Sequence, residues 1–386
     1  FSPLDIAALQ YLYGPSPQAR AGNDTYRVLD TISHFIWDGA GTDTLDLSGV
    51  RQGGTIYLTP GYWGYIGTAA ASTITAAGQV TVNFGTQIEN LVGSSYADKL
   101  YGNELDNNIS GGSGNDTIEG RMGNDTLAGG AGNDILLGGD GLDVATWNIG
   151  LTNFKINKTA TGYQIVDASG VSGTDDVSQI ETLRFSDKTI NLGVQAKASA
   201  VSASKVTQLA ELYISFFNRV PDADGMSYWI DQLNGGQTIV QIAESFYSAG
   251  VAYSKLTGFS NTMSNADFVN VVYKNVLGRK DGADAGGLAF WEASLKAGQA
   301  TRGSLVSDIL KSAHTFKGDA TWGWVADLLD NKISVATKFS INWGLNYNTP
   351  EESIQQGMAI AAAITPTDTK AAVALIGVPE GNLYLG

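Results

Sequence analysis

Apolar and polar positions follow different patterns in the two halves of this 386-residue chain. Near the start, residues 4–12 carry apolar side chains at helical spacing, with Ser2 and Pro3 as the cap and first-turn residues. Short alternating segments follow, such as residues 25–29 and 80–84, and they predict β-strands. From about residue 205, apolar side chains return to helical spacing. The pattern predicts a β-rich first half and an all-α second half.

A strict nine-residue repeat lies between residues 93 and 146. Its first position is always glycine. Its sixth position is acidic or an amide: Asp98, Asn107, Asp116, Asp125, Asp134 and Asp143. Its eighth position is aliphatic: Leu100, Ile109, Ile118, Leu127, Leu136 and Ala145. The units follow the pattern G-G-x-G-x-D-x-U-x, where U is a large apolar residue.

This spacing predicts a parallel β-roll. The glycine-rich half of each unit forms a turn, and the x-U-x half forms a short strand with its apolar residue in the core. Two units make one coil, so Asp98, Asp116 and Asp134 share one edge. Asn107, Asp125 and Asp143 share the other edge.

Stacked turns would supply calcium with about six oxygen ligands. Adjacent aspartates on one edge form the pairs 98/116, 116/134, 107/125 and 125/143. The carbonyl candidates are the first and fourth glycines of the later units: Gly111, Gly114, Gly120, Gly123, Gly129, Gly132, Gly138 and Gly141. The alternative, a flexible Gly/Asn/Asp linker, does not explain the aliphatic residue two positions after each aspartate. Asn107 lacks a charge and Ala145 is too small to fill the core, so we expect the ends of the roll to be weaker.

Composition narrows the classes of function. The net charge of −15 disfavours nucleic acid as a partner, because phosphate backbones attract clustered Lys and Arg. The chain has no cysteine, which excludes disulfides and thiolate metal sites. No apolar run is long enough for a transmembrane segment. Because the sequence starts at Phe1 without a signal peptide, we expect a processed or truncated product.

The nonapeptide pattern resembles the RTX (repeats-in-toxin) family. That resemblance implies type I secretion in an unfolded state and folding in external calcium, hence a secreted or cell-surface location. Residues 175–185 also resemble the strand pair that follows such rolls.

The first 92 residues resemble the serralysin metalloproteases at the junction between the catalytic domain and the calcium roll. The similar segments are residues 2–14, 20–25, 37–43 and 87–90. The resemblance implies further calcium ligands: carbonyls of Arg20 and Gly22, and carboxylates of Asp38, Asp43 and Glu89. The first segment has one residue more than the usual pattern, so the assignment of Asp24 or Thr25 as a ligand stays open. For Asp38 and Asp43, ordinary turn roles are the alternative.

Catalytic motifs are not found in the sequence. A zinc protease of this kind needs H-E-x-x-H, whereas the two histidines, His34 and His314, are far apart. We therefore expect no zinc and no protease activity from this chain, although a catalytic domain could precede Phe1 in a precursor. There is no Walker loop and no G-x-S-x-G elbow with a usable histidine. A carboxylate pair of the glycosidase kind stays open on sequence alone.

The helical half contains a second, weaker repeat at an offset of 60 to 62 residues. Asn218-Arg219 recurs as Gly278-Arg279, and Tyr228-Trp229 recurs as Phe290-Trp291. This region, residues 205–318, resembles a domain of unknown function, DUF4214. Asp222-Ala223-Asp224-Gly225 has the start of an EF-hand but not its glutamate, which favours a helix-capping turn. Trp229 and Trp291 are expected in the helical core, with a sugar-binding surface as the alternative.

These patterns predict a multidomain β plus α chain. Residues 1–92 form a junction helix and β segment, 93–195 the roll with flanking strands, 196–204 a linker, and 205–386 an α-helical domain. We expect a secreted calcium-binding protein with a structural, surface-layer or adhesive role, self-associating or binding cell-surface components. The alternative is the processed calcium-folding and secretion half of a serralysin-like zinc metalloprotease.

Overall fold

The computed structural model describes residues 3–14, 16, 18 and 20–386. They fall into two compact units, one of Phe1–Asp187 with Glu380–Gly386 and one of Lys188–Pro379. The stretch predicted as a linker, 196–204, contains the end of a helix and the start of the next. The domain boundaries drawn from sequence stay predictions.

Twenty short strands carry the β structure of the described residues. They are β1 Thr25–Arg27, β2 His34–Ile36, β3 Thr44–Asp46, β4 Gly54–Tyr57, β5 Gly64–Ile66, β6 Gln79–Val82, β7 Asn90–Val92, β8 Lys99–Tyr101, β9 Asn108–Ser113, β10 Thr117–Met122, β11 Thr126–Ala131, β12 Ile135–Asp140, β13 Val144–Thr146, β14 Phe154–Lys158, β15 Tyr163–Asp167, β16 Thr174–Ser178, β17 Thr182–Arg184, β18 Lys188–Asn191, β19 Leu345–Tyr347 and β20 Leu383–Tyr384.

Twelve α-helices are described, eleven of them in the second unit. They are α1 Pro3–Tyr13, α2 Val194–Ser199, α3 Ala203–Phe217, α4 Ala223–Asn234, α5 Ile239–Ala252, α6 Ser254–Thr257, α7 Asn265–Leu277, α8 Ala285–Lys296, α9 Arg302–His314, α10 Gly323–Thr337, α11 Pro350–Ala362 and α12 Lys370–Ile376. A π-helical turn, Lys338–Asn342, follows α10.

The repeat folds as a parallel β-roll, which confirms the predicted fold class. Alternate units enter two different sheets: β8, β10 and β12 pair in one, and β7, β9, β11 and β13 pair in the other. Ile118 pairs with Leu136, and Ile109 pairs with Leu127. Each partner is thus two units along the chain, as the coil predicted from the spacing requires.

The core of the roll is a stack of aliphatic side chains between the two sheets. The eighth residue of all six units is 0% exposed. Ala145, expected to leave a gap, is paired in register with Leu127 on one side and Leu183 on the other. The core therefore continues past the last recognisable repeat into β17.

The roll also continues after a detour of the chain. Beyond β13 the chain forms the antiparallel hairpin β14–β15 and then returns to the roll as β16 and β17. Strand β16 pairs in parallel with β12, and Val177 lies opposite Leu136. Trp147, directly after β13, and Phe185, directly after β17, stack with their ring centroids 5.2 Å apart.

The second unit is helical, with an internal duplication that matches the weak sequence repeat. Helices α3 and α4 correspond to α7 and α8. Asp222 and Asp284 are the N-caps of α4 and α8, and each accepts a hydrogen bond from a glycine N–H three residues on. The capping turn predicted at Asp222 is confirmed. Trp229 and Trp291 are partly buried against the helical core. Among the described residues, no helix has the length and apolarity needed to cross a membrane.

Candidate calcium centres

The sixth-position side chains form a hydrogen-bonded ladder along each edge of the roll. The backbone N–H of Asp98 donates to Oδ1 of Asp116 at 2.8 Å, eighteen positions further along. The N–H of Asp116 donates in the same way to Asp134. On the other edge, Asn107 donates to Asp125 and Asp125 to Asp143, both at 2.7 Å. Each carboxylate is thus fixed by the preceding coil.

The second carboxylate oxygen of four of these residues has no protein partner. Within the described part of the chain, the Oδ2 atoms of Asp116, Asp125, Asp134 and Asp143 are buried without a hydrogen bond. A buried charged oxygen without a partner is costly unless a cation offsets its charge. The regular placement of four such atoms therefore fits a row of metal ions.

Glycine at the first repeat position leaves the space in which an ion would lie. A Cβ built on Gly111 would be 2.3 Å from Oδ2 of Asp116 and 2.5 Å from the carbonyl oxygen of Gly129. A carboxylate oxygen of one turn and a carbonyl oxygen of the next coil therefore converge on one small volume. Oxygen ligands of this mixed kind are those that calcium prefers.

The electrostatics of the two edges indicate the same ligand. Burial raises the pKa of Asp116 to about 7, and the nearby carboxylates of Asp134 and Asp98 add to the shift. Burial likewise raises the pKa of Asp125 to about 6, and it raises the pKa values of Asp134 and Asp143. These carboxylates are unfavourable as bare anions, and a divalent cation would reverse that balance.

The first two units differ from the other four. Oδ2 of Asp98 accepts hydrogen bonds from the N–H and the hydroxyl of Ser94, at 2.7 and 2.8 Å. The side-chain oxygen of Asn107 accepts from the N–H of Asn103 at 2.8 Å. Ser94 and Asn103 thus satisfy oxygens whose counterparts in later units are free.

At the other end, the ladder extends beyond the repeat to residues that we did not predict. The N–H of Asp143 donates to Oε2 of Glu181 at 2.7 Å. Gln179, at φ +50°, takes the place of a repeat glycine, and its carbonyl oxygen would lie 2.0 Å from a Cβ at Gly138. A signal for Asp175 and Glu181 exists in the sequence, because each stands two positions before an aliphatic residue. The glycines that make this signal conspicuous are missing there.

A second acidic cluster lies in the N-terminal part of the first unit. Asp24, Asp38 and Asp43 each place a carboxylate oxygen within 4.8 Å of the others. Asp38 and Asp43 are buried, and the N–H of Asp43 donates to Glu89 at 2.8 Å. Burial raises the pKa of Asp43 to about 6, with contributions from Asp38 and Glu89.

Gly22, one of the two residues assigned a carbonyl ligand from the serralysin resemblance, lies beside this cluster. The carbonyl oxygen of Gly22 would be 2.2 Å from a Cβ at Gly41, which would itself be 3.0 Å from Oδ1 of Asp43. Arg20 has φ +53°, and its guanidinium lies over the rings of Tyr26 and Trp37. The cluster thus brings Gly22 close to Asp43.

The two histidines have protein partners of their own. His34 Nε2 lies 2.9 Å from the backbone nitrogen of Leu29. In the helical unit, His314 Nε2 lies 2.6 Å from Oε1 of the buried Glu211. Both contacts give the imidazoles local structural roles.

Comparisons with known proteins agree with these features. The family described as "RTX calcium-binding nonapeptide repeat (4 copies)" matches residues 85–118, 92–127, 101–136 and 110–145. The family described as "Domain of unknown function (DUF4214)" matches residues 196–250 and 254–317.

The curated relatives to which the chain is similar include one named as a metallopeptidase and two named as serralysins. It is 36% identical over 113 residues to "Metallopeptidase AprA" of Pseudomonas marginalis, which is 26% of this chain and 22% of that protein. It is 39% identical over 116 residues to "Serralysin G" of Dickeya chrysanthemi, with 26% and 23% covered. It is 32% identical over 113 residues to "Serralysin" of Proteus mirabilis, with 26% and 22% covered.

The chain therefore spans less than a quarter of the length of these relatives, and the similarity is restricted to the repeat region. Repeats of this kind bind calcium. The chain carries an RTX calcium-binding nonapeptide array together with a DUF4214 domain.

Proposed function

We propose that the roll holds calcium at four inter-coil positions, formed by the pairs 116/134, 134/175, 125/143 and 143/181. The observation that carries this proposal is the set of four buried, unpartnered Oδ2 atoms. In each pair the earlier residue supplies its free oxygen. The carbonyls come from the repeat glycines and, at the last position, from Gln179. The pairs 98/116 and 107/125 remain weaker candidates, because Ser94 and Asn103 already satisfy their outer oxygens.

A further ion is proposed at the N-terminal cluster. Asp24, Asp38 and Asp43 supply carboxylates there, Arg20 and Gly22 supply carbonyls, and Glu89 supports Asp43 from the next coil. The nearness of Asp24 to Asp38 and Asp43 favours it over Thr25 as the open ligand. Calcium in both regions would couple metal binding to folding of the first unit.

The biological role we propose is that of a secreted, non-catalytic protein with a structural, surface-layer or adhesive task. Its RTX array supports type I secretion and folding in external calcium. Its net charge of −15 supports solubility before calcium binds. We expect self-association or cell-surface components as partners, and no zinc.

The second candidate is the calcium-folding and secretion half of a serralysin-like metalloprotease. The similarity to the serralysins at 32–39% identity favours it. The coding sequence upstream of Phe1 separates the two candidates. An H-E-x-x-H helix there supports the protease, and an upstream region without one removes it. Electron microscopy with and without millimolar calcium tests the first candidate, which requires ordered assembly or surface attachment that depends on calcium.

Calcium binding itself is tested by titration calorimetry and circular dichroism. We expect β structure to be gained with calcium and lost on chelation. Asp143→Asn should lower the number of bound ions, because it removes a negatively charged oxygen from two proposed positions. Asp140→Asn is the matched control, since Asp140 is exposed on the same turn. Equal stoichiometry in both variants contradicts the proposed positions.

A further inference from the structure

The duplicated helical unit contains two equivalent aromatic clusters. In the second copy, Trp291 Nε1 donates to the hydroxyl of Tyr273 at 3.0 Å, and Arg279 Nη1 donates to Oδ2 of Asp284 at 2.9 Å. In the first copy, Arg219 pairs with Asp222 at 3.0 Å, and Tyr213 lies under the guanidinium of Arg219. Each cluster borders a cavity, named here the first and the second aromatic pocket.

The first aromatic pocket is narrowed by apolar side chains. Phe217 and Phe246 pack in it, and Ile354 and Met358 of α11 form another wall. Its volume is about 280 Å³. The side chain of Asp222 is 18% exposed and lines another cavity instead. The first aromatic pocket is therefore bordered by Arg219 but not by its carboxylate partner.

The second aromatic pocket is larger, and both members of its ion pair, Arg279 and Asp284, line it. Leu277 and Ile309 stand where the first copy has Phe217 and Phe246, and the volume is about 440 Å³. That value lies within the range of small-ligand sites, roughly 300–1,000 Å³. The side chain of Asp284 is 54% exposed, and Phe290 beside it is 65% exposed. The second pocket thus has an exposed carboxylate in its lining, which the first pocket does not have.

The chemistry of the second pocket selects an uncharged ligand with hydroxyl groups. Arg279 and Asp284 neutralise each other, so the pocket offers no net charge to an ion. The guanidinium has five N–H donors, of which the bond to Asp284 uses one. The ring centroid of Trp322 lies 4.4 Å from the guanidinium carbon of Arg279. Phe290, Trp291 and Phe316 complete an aromatic lining. Aromatic rings pack against apolar C–H faces, while a carboxylate and a guanidinium bond neighbouring hydroxyls.

We propose that the second aromatic pocket binds a neutral pyranose unit, either a free sugar or a residue of a polysaccharide. The lining combines aromatic rings with an ion pair, and such a sugar ring has an apolar face and an edge of hydroxyls. This inference is independent of the calcium positions in the roll. It assigns a ligand class to the helical unit, whereas the proposed function concerns folding and location.

The test is binding of the 386-residue chain, in millimolar calcium, to an array of neutral and acidic glycans. Calorimetry with a neutral disaccharide found on the array follows. We expect saturable binding of neutral glycans, weakened roughly tenfold or more by Phe290→Ala. Tyr228→Ala is the matched control, because Tyr228 is the counterpart of Phe290 in the first copy and is 55% exposed. It should change the Kd less than about twofold.

A second variant, Arg279→Lys, keeps the charge and removes the planar fork, and it should also weaken binding. Circular dichroism and Tm establish that each variant is folded. Three outcomes overturn the proposal: no glycan bound on the array, a preference for acidic glycans, or equal affinity in Phe290→Ala and Tyr228→Ala.

Discussion

The backbone N–H of Asp134 donates a hydrogen bond to Oδ1 of Asp175 at 3.0 Å, although 41 positions separate the two residues. The other oxygen of Asp175 accepts from Nε1 of Trp147 at 2.8 Å. Asp175 thus joins the last coil of one edge to the aromatic stack beyond it. Its pKa is raised to about 7, chiefly by burial.

Asp175→Asn should destabilise the roll and weaken calcium binding. An amide has one acceptor oxygen, so either Asp134 or Trp147 loses its partner, at a cost of about 1–3 kcal/mol. Thermal unfolding followed by circular dichroism, at fixed calcium, measures this loss. The neighbouring Asp176→Asn is the control, since Asp176 is exposed. Equal Tm values for the two variants would show that Asp175 does not hold the coil.

Gly129→Ala should disturb one calcium position without touching a ligand side chain. A Cβ there would lie 2.2 Å from Oδ2 of Asp134, so the turn or the carboxylate must move. Overpacking of this kind costs roughly 1–3 kcal/mol. Titration calorimetry should also show weaker calcium binding. At Gly49 a Cβ would meet open space, so Gly49→Ala should leave both measurements unchanged.

Adjacent residues on β12 provide a test of the core. Leu136 is 0% exposed between the sheets, whereas Ile135 is 51% exposed on the outer face. Leu136→Ala should lower the free energy of unfolding of the calcium-loaded roll by roughly 2–5 kcal/mol. Ile135→Ala should change it by about 0.5 kcal/mol or less. Similar losses in denaturant titrations of the two variants would contradict the roll register.

The helical unit should become more stable as pH rises from 8 to 10. Lys332 is buried, donates to the carbonyl of Asn275 at 3.0 Å, and has its pKa lowered to about 8 by burial. In the unfolded chain the pKa of a lysine is about 10.4. Between pH 8 and 10 the unfolded chain therefore binds more protons than the folded one. The free energy of unfolding therefore increases with pH, by about 2 kcal/mol.

Urea titrations of the helical transition at several pH values, with calcium fixed, measure this slope. Lys332→Met removes the titrating group and should abolish most of it. A slope that persists in Lys332→Met would assign the effect to other groups.

The roll could be predicted from sequence because three residue types recur with the same nine-residue period. Glycine, aspartate and an aliphatic residue repeat together, and Ile118 therefore had to lie over Leu136. The continuation of the roll was not predictable in the same way. Gln179, at φ +50°, stands where earlier units have glycine. A search for glycine therefore stops one coil too early.

The division of the chain into two compact units could not be predicted fully from sequence either. Leu383 pairs in parallel with Ile156, so the last residues belong to the first unit. A two-residue strand has no period of its own, and nothing local indicates such a distant partner. The duplication in the helical unit could be predicted from sequence, because the segments around Arg219 and Arg279 are similar in sequence. The difference in volume between the two aromatic pockets depends on side-chain volumes and on α11, which a repeat pattern does not encode.

The detour between β13 and β16 has a practical consequence. The chain leaves the roll, builds a hairpin, and rejoins with Val177 in register opposite Leu136. The coil before the detour and the coil after it are stacked as if no residues had been added. The connection between β13 and β16 is therefore a place at which foreign sequence could be grafted, so this end of the roll suits the display of a long loop on a fixed parallel scaffold.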